Sequence, residues 1–185
     1  ELHRVNWRDL DLPPAYLDGD EARRVLSTKP KHWLGYYEAS LWSNLESPRD
    51  YVPADMTPDQ VREINAMTHI ENELIDEACQ RVIDHLKAQN LYHQTDIFFT
   101  TDHGELQGDY GLMFKGPYHV DALMRLPLIW KPGQERGAPT VIDEPVGHVD
   151  LAPTFCAIAG IESEQMDGAV LPTTADEASK QGRET

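Results

Sequence analysis

The sequence predicts an α/β fold, a sheet with helices packed on its faces. Three observations carry that expectation. A long stretch after Thr57 has apolar residues every three or four positions, two short β-branched and aromatic runs occupy 96–101 and 126–130, and a second helical segment opens at Asp150. Helix, strand, loop, strand, helix is the order of a chain that lays helices against a sheet. With 185 residues and 40% hydrophobic content the chain can bury a core, which excludes disorder throughout.

The first segment, 1–56, reads as irregular. Pro13, Pro14, Pro30, Pro48 and Pro53 interrupt it too often for a long helix, although a short one around 20–26 fits between them. Trp7, Trp33, Tyr36, Tyr37 and Trp42 stand among the prolines, so this segment is expected to wrap over the domain and be pinned there by its rings. The main body, 57–172, begins with a helix signal. Thr57 is the N-cap, Pro58 takes the first helical position and Gln60 closes a capping box. Ile64, Met67, Ile70, Leu74, Ala78, Val82 and Leu86 then predict one buried stripe on a helix of nearly thirty residues, ended at Gln89-Asn90 by an asparagine in the left-handed conformation.

The run 96–101, DIFFTT, predicts a buried strand. The run 126–130, LPLIW, predicts another, stopped by Lys131-Pro132-Gly133. Pro127, which has no amide hydrogen, belongs at its start or at a sheet edge. Asp150 caps a short helix that tolerates Pro153 in its first turn and closes at Gly160. The remainder, 173–185, is a polar tail expected to fray.

A net charge of −16 removes nucleic acid from the partner classes, because such binders need a basic stripe. No apolar run is long enough to span a membrane. The first residues contain neither a signal-peptide apolar region nor an initiator methionine, so localisation stays open between cytoplasm and export, and oligomeric state is open too. Cys79 and Cys156 lack CxxC partners, which excludes zinc-finger and disulfide frameworks and predicts buried free thiols.

Chemistry concentrates in FFTTDHGELQGDYGLMFKGPYHVD, where Asp102, His103 and Gly104 follow a strand directly. Ligands of open α/β sheets gather at such strand ends. Neighbouring side chains on a strand point to opposite faces, so Asp102 and His103 can meet one ion only if the backbone turns, which Gly104 permits. A carboxylate beside a neutral imidazole makes half a site for a divalent cation. Taken alone, the triplet reads better as a turn whose Asp serves its own amides and whose His is solvated, and Lys115 as a solvated cation. His69, His85 and His93 fit solvent or packing, and His148 fits a structural role.

The surrounding motifs narrow the choice. LIDEACQRVIDHLKAQNLY, TDIFFTTDHGELQGDYGLMFKG, RLPLIWKPG, HVDLAPTFCAIAGI and MDGAVLP follow one another over roughly residues 60–172. In that order they resemble the sulfatase family of the alkaline-phosphatase-like superfamily. The resemblance implies a largely parallel central sheet flanked by helices, incomplete in this chain. It also implies a metal-dependent sulfuric ester hydrolase acting on a small-molecule or carbohydrate sulfate ester. Asp102 matches the family's metal-binding aspartate and His103 the ligand beside it. Lys115 matches the catalytic lysine that contacts the transferred group's oxygens, His119 lies near enough to bind substrate, and Glu105 and Gly108 match supporting positions. The implied ion is Ca2+, with Mn2+ as the alternative.

One departure matters. The family's nucleophile is a formylglycine made within C/S-x-P-x-R, and no cysteine or serine here has proline and arginine at those offsets. The chain is therefore expected to be the C-terminal portion of a sulfatase domain, a fragment inactive alone, with the formylglycine and further metal-binding aspartates supplied upstream. A phosphonate monoester or phosphodiester hydrolase of the same superfamily, or a non-catalytic remnant, are the alternatives.

Overall fold

The computed structural model describes residues 4–40, 52–134, 141–162 and 165–181; Trp42 and Pro48, counted above, lie outside them. Two compact units result, 1–133 and 134–185.

The first unit opens with two short helices, α1 (Gly19–Leu26) and α2 (Lys31–Tyr37). The sequence pointed to α1 only. α2 fits into one short proline-free stretch, with Pro30 at its N-cap, where a proline's missing amide costs nothing. Both helices supply core. Ala22, Leu26, Trp33, Tyr36 and Tyr37 are buried in one cluster with Leu106, Leu112, Tyr118 and Leu123.

The long helix α3 (Pro58–Ala88) forms with the expected capping box. The Gln60 amide donates to Thr57 Oγ1, and the Thr57 amide donates to Gln60 Oε1. Asn90 beyond its end has φ 58°, the left-handed stop expected of it. The expected buried stripe is corrected. Val61, Asn65, Ala66 and Ile70 are the buried residues, whereas Met67, Leu74 and Val82 are exposed. The reason is the reach of the partner surface. Arg62 Nε donates to the Leu10 carbonyl and Asn65 Nδ2 to that of Gln107, both in the first turns of α3. Cys79, further along, is free and half-buried rather than buried.

Strand β1 (Ile97–Thr100) begins the site-bearing segment. A small hairpin of β2 (Leu106–Gln107) and β3 (Met113–Phe114) follows, then the single turn α4 (Asp121–Met124) and strand β4 (Leu128–Lys131), which starts directly after Pro127. β1 pairs with β4 antiparallel, Phe98 opposite Trp130 and Phe99 opposite Ile129. Parallel pairing, expected of the sheet at large, is absent between these two strands. Their connection carries a hairpin and one helical turn instead of a crossover helix, so the chain returns along β1 in the opposite direction. Nor is the pair fully buried: Phe98 stacks on Trp130 with centroids 5.1 Å apart, but on the other face Phe99 is 41% and Ile129 63% exposed.

In the second unit, α5 (Leu151–Ala159) closes at Gly160 with φ 67°, as expected. Asp150 stands at its N-cap position, yet its carboxylate accepts from the amides of Gly147 and Ala169 rather than from the helix. Within the expected polar tail, α6 (Ala175–Gln181) is a helix with Ala178 buried. The Glu177 amide donates to Thr174 Oγ1 there, an N-cap signal present in the sequence. Cys156 is half-buried and free, and His148 is exposed.

Candidate functional site

Asp102 and His103 lie just past the end of β1, where the chain leaves the sheet. Turning back is accomplished by polar contacts. The His103 amide donates to Asp102 Oδ1 at 3.0 Å, and Thr101 Oγ1 donates to the His103 carbonyl at 3.0 Å. Both residues therefore present their heads on the same side, with His103 Nε2 3.5 Å from Asp102 Oδ2.

Gly104 was expected to permit the turn through its backbone freedom. Its φ lies outside the left-handed region, so that reason is corrected. A Cβ at this position would sit 1.9 Å from the Ala122 carbonyl oxygen, and the Gly104 amide donates to the Leu123 carbonyl at 3.0 Å. Glycine is required because α4 lies against the backbone.

Lys115 reaches the same place from the hairpin. Its Nζ is 3.1 Å from His103 Nε2. His103 Nδ1 is 2.8 Å from the Gly104 carbonyl, which can only accept, so Nδ1 carries the proton and Nε2 offers its lone pair to the ammonium. Glu105 Oε1 stands 3.8 Å from Nδ1 on the other edge of the ring. Desolvation alone would raise the Asp102 carboxyl. His103, neighbouring amides and the Thr101 hydroxyl outweigh it and hold the carboxyl below the usual aspartate range. It is thus an anion across the neutral pH range.

The lysine's approach is set by its backbone. Phe114, immediately before it, has φ 64°, a left-handed conformation that costs a phenylalanine about 1–3 kcal/mol unless its surroundings impose it. Those surroundings are aromatic. Tyr36 Oη donates to the Met113 carbonyl at 3.1 Å in a buried hydrogen bond. Three residues past Lys115, Tyr118 is caged by His32, Trp33 and Tyr36, with ring centroids 5.6, 4.7 and 6.1 Å away. Burial, then Tyr36, pushes the Tyr118 phenol far above its ordinary pKa. These supports were missed in the sequence; a cluster of Trp33, Tyr36 and Tyr37 was visible there, but not its target.

Asp102, His103 and Lys115 are therefore brought together, while His119 is exposed beyond the Tyr118 cage. Gly108 adopts φ 110° in the hairpin turn, close against Val61 of α3. Among the described residues no group of three or more His, Cys, Asp or Glu side chains could hold a metal ion by itself. The donor set fits a divalent cation in part, with one anionic oxygen donor and one imidazole nitrogen of fixed tautomer.

The sulfatase family model matches residues 49–161, more than half of the chain. The chain belongs to the sulfatase family. Among relatives, it is 30% identical over 148 residues to the uncharacterized sulfatase YidJ of Escherichia coli (strain K12), covering 80% of this chain and 27% of that protein. It is 32% identical over 118 residues to a choline-sulfatase of Rhizobium meliloti (strain 1021), covering 63% and 22%. Among solved structures, the phosphonate monoester hydrolase SpPMH from Silicibacter pomeroyi superposes with a TM-score of 0.68 at 28% identity, covering 90% of this sulfatase chain and 32% of that one. The fold is therefore alkaline-phosphatase-like, and the chain spans a third or less of the length of each of these proteins. Among the described residues no helix is long and apolar enough to cross a membrane.

Proposed function

We propose that this chain forms the metal-binding and leaving-group side of a sulfate ester hydrolase site, with Asp102 and His103 as metal ligands and Lys115 as the catalytic lysine. The observation that carries the proposal is the meeting of three side chains from two different elements, with Lys115 Nζ 3.1 Å and Asp102 Oδ2 3.5 Å from His103 Nε2. Asp102 supplies an anionic oxygen. His103, its Nδ1 proton committed to the Gly104 carbonyl, directs the Nε2 lone pair into the site. A bound divalent ion, Ca2+ in the first place and Mn2+ as the alternative, supplies Lewis acidity towards the ester oxygens. Lys115 is the mobile cation: with the Nε2 lone pair given to an ion, its ammonium would leave His103 and turn to the substrate oxygens. Negative charge on those oxygens grows as the ester bond breaks, so the ammonium stabilises the transition state more than the bound ester. His119 is proposed at the substrate rim. The nucleophile, a formylglycine, is proposed to come from polypeptide outside these 185 residues, so the chain by itself should turn over no ester.

Calorimetric titration of the chain with Ca2+ and with Mn2+, combined with an aryl sulfate assay, tests this. Weak binding lost in Asp102→Ala and kept in Lys115→Ala is expected, without turnover. Affinity unchanged in Asp102→Ala, or repeated turnover, would overturn the assignment. A second reading, hydrolysis of phosphonate monoesters or phosphodiesters, is supported by the likeness to SpPMH. Sulfate and phenylphosphonate, competed for protection of Lys115, separate the two readings by which anion is held more tightly.

A further inference from the structure

We infer that Tyr36 is the positioning residue for Lys115, gripping the lysine-bearing loop on both sides through its hydroxyl at Met113 and its ring at Tyr118. The inference rests on the reading of Lys115 as the substrate-facing cation, and deepens it.

A lysine side chain keeps its head in one place only if its backbone is fixed and its many rotamers are restricted. The hairpin cannot fix it alone. β2 and β3 contribute two residues each, too short a ladder for independent stability, and Lys115 falls outside it. What flanks the lysine is α2. On the N-terminal side, Tyr36 Oη holds the Met113 carbonyl two residues before Lys115. On the C-terminal side, the Tyr36 ring meets Tyr118 edge-on, three residues after it. Both tyrosines are buried, at 8% and 4% exposure. Between these grips the chain has little slack. Phe114 is left-handed, and a Cβ on Gly116 would lie 2.4 Å from the Tyr118 ring. The direction in which Lys115 leaves the backbone is thus set from α2, 77 residues earlier than Met113.

Tyr36→Phe removes the hydroxyl grip and keeps the ring, whereas Tyr118→Phe keeps both contacts used here. Two readouts report on the lysine itself in the full chain. One is the rate of Lys115 acylation by a neutral activated ester, measured by peptide mass spectrometry against Lys29 and Lys87. The other is the 15N resonance pair of His103, which records the Nδ1–H tautomer and the Lys115 contact at Nε2. In Tyr36→Phe, Lys115 acylation should rise about fivefold, the equivalent of one net hydrogen bond. Lys29 and Lys87 should stay at their wild-type rates and the His103 Nε2 signal should move. Tyr118→Phe should change neither readout. Unchanged Lys115 reactivity and His103 signal in Tyr36→Phe would overturn the inference, and so would an equal rise at all three lysines. If Tyr36→Phe does not fold, amide exchange in the wild-type chain decides. Protection of Phe114, Lys115 and Gly116 equal to that of the Leu112 amide supports the grip, and free exchange overturns it. Failure of the underlying reading would look different: the acylation pattern would follow expectation, but neither sulfate nor phenylphosphonate would protect Lys115.

Discussion

The two arms of the candidate site are held by regions built in contrasting ways. Lys115 hangs from a hairpin embedded in a filled core, where Leu106, Leu112 and Tyr118 are buried among α1 and α2. Asp102 and His103 hang from β1, half of a two-stranded pair whose outer face presents Phe99 and Ile129 to solvent. The long helix repeats the contrast within itself, packed as far as Ile70 and exposed at Leu74, Ile75 and Val82. Stability and chemistry are therefore unevenly distributed. The lysine's loop is secured by burial, while Asp102 and His103 are secured chiefly where Gly104 joins α4.

The sharpest way to break that arrangement is to attack the junction. Gly104→Ala drives a methyl group into the Ala122 carbonyl, backbone against backbone, so a loss of about 3 kcal/mol or more is expected. Chemical denaturation monitored by tryptophan fluorescence would measure it; a loss below about 1 kcal/mol would show that α4 moves freely. Next comes the core against its exposed counterpart. Leu112→Ala should cost about 2–5 kcal/mol, and Leu74→Ala less than about 1, in the same experiment.

Alkali separates the regions by titration. Tyr16, Tyr37 and Tyr118, all in the first unit, have phenols raised above their ordinary value, with burial the largest cause in each. Once the pH passes about 10, the unfolded chain loses phenolic protons that the folded chain retains. Stability is thus fully present below that value and falls as pH rises through it. The share of the near-ultraviolet rise that belongs to these three tyrosines should coincide with unfolding. A rise from all seven tyrosines completed well before the loss of structure would show the aromatic cage to be open. The smallest effect belongs to the exposed strand face. Phe99→Thr with Ile129→Thr should change stability by no more than about 1 kcal/mol, since threonine suits a strand and little burial is lost. Self-association should fall, as sedimentation would record.

Local signals were legible in the sequence. Thr57, Gln60, Asn90, Gly160 and Pro127 each act within a few residues of themselves, and each has the role its chemistry dictates. The order Asp102, His103, Lys115 also pointed to a single place, and the side chains do meet there. What escaped was non-local. The true reason for Gly104 is a carbonyl eighteen residues later. The buried face of α3 depends on which loops cover it, so apolar spacing past Ile70 could not reveal the exposure. Strand direction depended on what the connection between β1 and β4 folded into. The His103 tautomer is fixed by a carbonyl whose direction no residue type encodes.

The separation of 77 positions from Tyr36 to Met113 also has a meaning in time. A ribosome adding roughly 5–20 residues per second completes Trp33, Tyr36 and Tyr37 about 4–15 seconds before the residues that will cover them. For that interval the rings are a sticky surface on a nascent chain, and the long helix, which needs only neighbours in sequence, can form while they wait. Cellular yield should therefore respond to the speed of translation across α3 and to chaperones that bind aromatic segments, even where the stability of the finished protein is unchanged.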